Sequence, residues 1–177
     1  MSLNLKTKKE ILEQYDYATE DETFNPYNYY SYHIGLFLIA FSELEHCIET
    51  HLAELIYSNN HQPGFILIQL IKDFKNKSFL LMRYILPGIE KNKKEKLKLI
   101  HKELNELYEF RNIICHAKWY LAKKDKSVRV KVESDKDGWI EFKNYYVTKR
   151  DISKRITRIK KIILEIDDLI ENLFQGQ

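Results

Sequence analysis

From Ile152 to Leu173 the chain places apolar residues at alternating steps of four and three: Ile152, Ile156, Ile159, Ile163, Ile166, Ile170 and Leu173. This is the helical period, held over three heptads, and it predicts a helix packed in a bundle. Its start is expected near Thr148, with Asp151 in the first turn. A second stripe (Ile34, Phe37, Phe41, Leu44, Ile48, Leu52, Leu55) predicts a helix over 27–57, opened by Asn25-Pro26. A third (Leu97, Ile100, Leu104, Leu107, Ile114, Leu121) predicts one over 92–122. Shorter helices are expected over 6–17, 65–74 and 78–86, with stops at Asn59 to Gly64 and at Leu86-Pro87-Gly88. Only 5 Gly and 3 Pro occur, which disfavours folds built on tight turns and phosphate loops.

One segment breaks the pattern. Val128, Val130 and Val132, then Ile140 and Phe142, alternate with polar residues across the turn Asp135-Lys136-Asp137-Gly138, which predicts a β-hairpin. The expected fold is therefore all-α: an antiparallel bundle of about five helices with one β-hairpin, 127–147, inserted before the C-terminal helix. A single domain over 1–177 is expected, with 1–25 as an N-terminal extension.

The two cysteines, Cys47 and Cys115, are too few for a disulfide scaffold or a CxxC metal knuckle, and both read as buried thiols. Glu43-Leu44-Glu45-His46 holds one Glu-x-x-His where a di-iron bundle needs two. His33, His51, His61 and His101 read as isolated surface or boundary residues. No metal or cofactor is expected. The N-terminus, MSLNLKTKKEILEQ, has no apolar leader, and Ile34 to Phe41 is too short to span a bilayer. A cytoplasmic protein without a membrane partner is expected.

The net charge of +3 is uneven. Residues 1–60 carry 3 basic and 10 acidic residues, net −7; the other 26 basic and 16 acidic residues give net +10. Such a split would suit a polyanion-facing side, but on charge alone Lys and Arg coating amphipathic helices is the preferred reading.

The candidate site is Arg111-Asn112-Ile113-Ile114-Cys115-His116. Arg111 falls at helical spacing with Leu104 and Leu107, at the edge of the buried stripe. His116 follows about 140° further round, whereas Asn112 and His116 share a face as an i,i+4 pair. From Ile113 to Leu121 apolar residues surround the helix axis, so this end is expected to be covered on more than one face.

Arg, a polar residue, three more residues and then His, within ELNELYEFRNIICHAKWY on a bundle helix, resemble the motif of the HEPN domain family. SELEHCIETHLAEL upstream is similar to the family as well, and the resemblance spans about Tyr27 to Leu173. It implies a homodimer joined through the helix carrying Arg111 and His116, whose facing motifs form a metal-independent endoribonuclease site. It also implies a toxin or phage-defence setting and an antitoxin protein as partner. In that reading His116 is the acid/base, Arg111 neutralises phosphate charge and Asn112 supports them. Lys118, Lys123, Lys124, Arg155 and Arg158 are candidate RNA-binding residues. Lys118 stands two residues after the His, where related toxins carry a tyrosine, so regulation through that residue is not carried over. The other readings are a non-catalytic bundle that binds RNA, a nucleotide or a protein, and a structural helical dimer in which the motif is incidental.

Overall fold

A computed structural model describes residues 26–57, 61–116, 118–122, 126–134 and 140–175. The chain is mostly helical. Its helices are α1 (Pro26–Ile56), α2 (His61–Gln69), α3 (Phe74–Ile85), α4 (Lys94–His116) and α5 (Lys149–Gln175). No helix among the described residues is long and apolar enough to cross a membrane. The expected helix over 6–17 lies outside the described residues.

The described residues divide into two compact units, those of 38–110 with 155–175 and those of 26–37 with 111–154. The first is a helical bundle. Leu44, Ile48 and Leu52 of α1, Leu81 and Ile85 of α3, Leu104 of α4, and Ile159, Ile162, Ile166 and Leu169 of α5 are fully buried. Helices α4 and α5 run antiparallel, as two pairings in opposite chain order require: Lys96 with Asp168, and Glu103 with Arg158. Lys77 on α3 is buried, and its ammonium donates to Glu45 at 3.2 Å and Glu49 at 2.5 Å on α1.

The α5 face differs from the sequence expectation. Residues 152, 159, 166 and 170 are buried as expected, but Ile162 and Leu169 are buried as well. Ile156 and Ile163 are only half-buried. At 162/163 and 169/170 both neighbours are apolar, so hydropathy cannot choose between them. At 155/156 it chooses Ile156, whereas the seam position is Arg155, whose guanidinium lies 3.8 Å from the centre of the Phe110 ring. The aromatic face accepts the cation there.

Gly64 also departs from expectation. It does not end a helix but lies buried within α2, and a Cβ there would meet the Ala53 carbonyl oxygen of α1 at 2.7 Å. Alanine gains about 0.5–1 kcal/mol of helix propensity over glycine, but a clash with backbone has no side chain to move aside. Gly64→Ala is expected to destabilise by about 1–3 kcal/mol, the usual range for overpacking. A urea denaturation midpoint equal to or above wild type would show that propensity wins.

In the second unit, Thr148 and Asp151 form a capping box at the start of α5. Thr148 Oγ1 accepts from the Asp151 N–H at 3.1 Å, and Asp151 Oδ2 accepts from the Thr148 N–H at 3.0 Å. Lys149 Nζ sits 3.2 Å from the centre of the Tyr29 ring. The backbone forms a three-stranded antiparallel sheet in the order β1 (Lys118–Ala122), β2 (Lys126–Ser134), β3 (Ile140–Val147), which adds β1 to the two strands expected. Trp119 pairs with Arg129, and Val132 with Phe142. The expected turn over 135–138 lies outside the described residues.

Candidate functional site

The motif occupies the last six residues of α4. Leu104, Leu107, Phe110 and Ile114 are buried at steps of three and four, which fixes the helix face. Arg111 and Asn112 stand half-buried beside that face, and Cys115 and His116 are exposed. Arg111 Nη1 donates to Asn112 Oδ1 at 3.2 Å. The guanidinium thus keeps one satisfied donor while its remaining donors can serve a ligand. The Arg111 and His116 side chains leave the helix about 140° apart.

The helix expected to reach Ala122 stops at His116, and Lys118 already belongs to β1. Trp119, Tyr120 and Leu121 are therefore strand residues, of types that favour strands. The apparent all-round apolar helix dissolves with this change. Ile113 and Ile114 remain buried on α4, but the residues after His116 no longer report on how many helix faces are covered.

The candidate RNA-binding residues fare unequally. Arg158 is committed to two carboxylates: its Nε donates to Glu103, and Nη1 and Nη2 reach Glu165 at 3.2 Å each. Burial alone would lower its pKa, but the hydrogen bonds to Glu165 and Glu103 outweigh this and raise it. With Arg155 stacked on Phe110, both arginines serve the bundle, and that competes with phosphate binding. Lys118 is placed in β1 by its backbone; its side chain, and all of Lys123 and Lys124, lie outside the described residues.

A second cluster escaped the sequence reading. Cys47 and His51, one helical turn apart on α1, meet Asp167 of α5. His51 Nε2 lies 2.7 Å from Asp167 Oδ1, and Cys47 Sγ donates to the same oxygen at 3.8 Å. His51 Nδ1 lies 3.1 Å from Glu54 Oε2. His51 is thus not isolated, although it is half-buried as a boundary residue should be. The only signal in the sequence is Cys-x-x-x-His at i,i+4; Asp167 is 116 residues beyond His51.

Burial first, then the charge and hydrogen bond of Asp167, push the Cys47 thiol from 9.0 up to about 12. Cys115, expected to be buried, is exposed. Iodoacetamide at about pH 8 is therefore expected to alkylate Cys47 at least about tenfold more slowly than Cys115, because only thiolate reacts. Equal rates by peptide mass mapping would show that Cys47 is neither shielded nor held protonated.

Comparison with protein-family models, with curated proteins and with solved structures finds no match for this chain.

Proposed function

We propose that the chain is a HEPN-type, metal-independent endoribonuclease. The observation that carries this reading is the grouping at the end of α4: an Arg111 guanidinium steadied by Asn112, with His116 exposed to solvent five residues on. A guanidinium neutralises charge developing on a scissile phosphate. An exposed imidazole takes the proton of the RNA 2′-hydroxyl, or returns one to the leaving 5′-oxygen. The dependence on the 2′-hydroxyl restricts the reaction to RNA.

The angle between Arg111 and His116 supports a homodimer, since a second copy could supply the group that one copy turns away. The apolar run after His116 no longer adds to that argument. The toxin or phage-defence setting and an antitoxin partner rest on the motif's resemblance alone, and a cytoplasmic location rests on the sequence of the N-terminal segment.

The test is RNA cleavage by the purified full chain in EDTA, wild type beside His116→Ala, with far-ultraviolet circular dichroism confirming that the stripped protein stays folded. Cleavage that survives EDTA and is lost in the variant is expected. Cleavage unchanged by His116→Ala would end the reading, and a monomer by light scattering at micromolar concentration would end its dimeric form. The contact between Arg111 and Asn112 also suits a non-catalytic anion site; RNA binding lost in Arg111→Ala, with no cleavage by wild type, would favour it.

A further inference from the structure

We propose that Cys47, His51 and Asp167 form a zinc site that clips α1 to α5 within the helical bundle, with Glu54 orienting the histidine. This rests on no part of the ribonuclease reading, and none of its residues belongs to the motif.

The donor set carries the argument. One sulfur, one ring nitrogen and one carboxylate oxygen, all within 4.8 Å of one another, converge from two helices. Hard cations such as calcium and magnesium select all-oxygen sites, whereas mixed sulfur and nitrogen donors select zinc among the commonly available metals. Metal–sulfur and metal–nitrogen bonds of about 2.3 and 2.0 Å at a tetrahedral angle put neighbouring ligand atoms about 3.5 Å apart. The Cys47–Asp167 separation of 3.8 Å is already close to that value. The His51–Asp167 separation of 2.7 Å must open by less than an ångström, within reach of a carboxylate rotation because the Asp167 side chain is 41% exposed.

The hydrogen-bond inventory points the same way. A neutral imidazole has one N–H, yet His51 faces a carboxylate oxygen at each ring nitrogen. With Nδ1–H donated to Glu54, a neutral ring leaves Nε2 and the Asp167 oxygen as two acceptors, and a cation between them, either a second proton or a metal ion, resolves the conflict. A carboxylate on the far nitrogen is also the usual orienting partner of a metal-bound histidine. The protonated Cys47 is no obstacle, because a coordinated thiol gives up its proton to solvent. Three protein donors leave the fourth position to water.

The test loads the full chain, stripped with EDTA and dialysed free of chelator, with Zn²⁺ or Co²⁺. One equivalent of zinc per chain is expected, and cobalt is expected to give a near-ultraviolet sulfur-to-metal charge-transfer band. That band should persist in Cys115→Ser and vanish in Cys47→Ser. Asp167→Asn is expected to abolish tight uptake, and Glu54→Gln to weaken it roughly 10–100-fold. At about a hundredfold excess over the dissociation constant, zinc should raise the melting temperature by roughly 5–10 °C. Should Cys47→Ser fail to fold, Glu54→Gln and the cobalt band of Cys115→Ser still decide. No stoichiometric uptake by the folded wild type, a band that survives Cys47→Ser, or affinity unchanged in both Asp167→Asn and Glu54→Gln would overturn the site.

Discussion

His116→Ala is expected to slow RNA cleavage by about 10²–10⁴-fold, the usual contribution of a positioned acid or base. It should leave the fold almost untouched. His116 is exposed at the last residue of α4, and exposed substitutions usually shift stability by no more than about 0.5 kcal/mol. For a chain of this size that is a change in melting temperature of about 1–2 °C. Arg111→Ala should lose activity too, but less cleanly, because Arg111 is half-buried and bonded to Asn112. Asn112→Ala is informative in a third way: it frees the guanidinium without removing charge, so a milder loss than Arg111→Ala is expected. A fall in cleavage matched by a fall in melting temperature in the His116 variant would assign that residue to structure instead.

The second large effect concerns Lys77. Alanine there removes the only cation that the described structure places against Glu45 and Glu49, and leaves two carboxylates facing each other on α1. Losing one member of a fully buried ion pair typically costs about 3–5 kcal/mol. The side chains of Glu45 and Glu49 remain 34% and 21% exposed, so water takes part of the load and about 2–3 kcal/mol is expected. The melting temperature should fall by roughly 4–12 °C. Replacing the trio together, Lys77→Met with Glu45→Gln and Glu49→Gln, should recover most of this, since the penalty lies in the stranded charge. Burial alone would lower the Lys77 pKa, but the hydrogen bonds to Glu49 and Glu45 outweigh it and raise the pKa above 10.5. A raised base stabilises the fold in full below its unfolded value, so this contribution holds below pH 10.5 and fades above it. Lys77→Ala with wild-type stability would mean the carboxylates are already fully solvated.

The helices were legible because their apolar stripes repeat at the helical period over many turns. Leu44, Ile48, Leu104, Leu107, Ile159 and Ile166 are buried where the spacing puts them. What escaped is what periodicity does not encode. Trp119 to Leu121 read equally well as a helix end or a strand, and pairing with β2, a tertiary choice, makes it a strand. Gly64 looked like punctuation, although its role is to let α2 approach the α1 backbone. The motif residues were found from order alone, whereas Asp167 joins His51 only once the chain has folded. Arg158 shows the converse. In the sequence it is one more cation in a basic helix; in the fold it is held by Glu103 and Glu165.

The stacking of Arg155 on Phe110 also bears on alignment between helices. A smooth aliphatic seam would let α5 slide by a heptad against α4 and find a second, nearly equivalent fit. Arg155 over Phe110, Arg158 on Glu103 and Lys96 on Asp168 are three marks along one antiparallel pair, and one setting satisfies all three. A slip of seven residues would take Arg155 off the Phe110 ring and part Arg158 from Glu103. Part of the positive charge along α5 therefore acts as an index that holds these two helices to a single register.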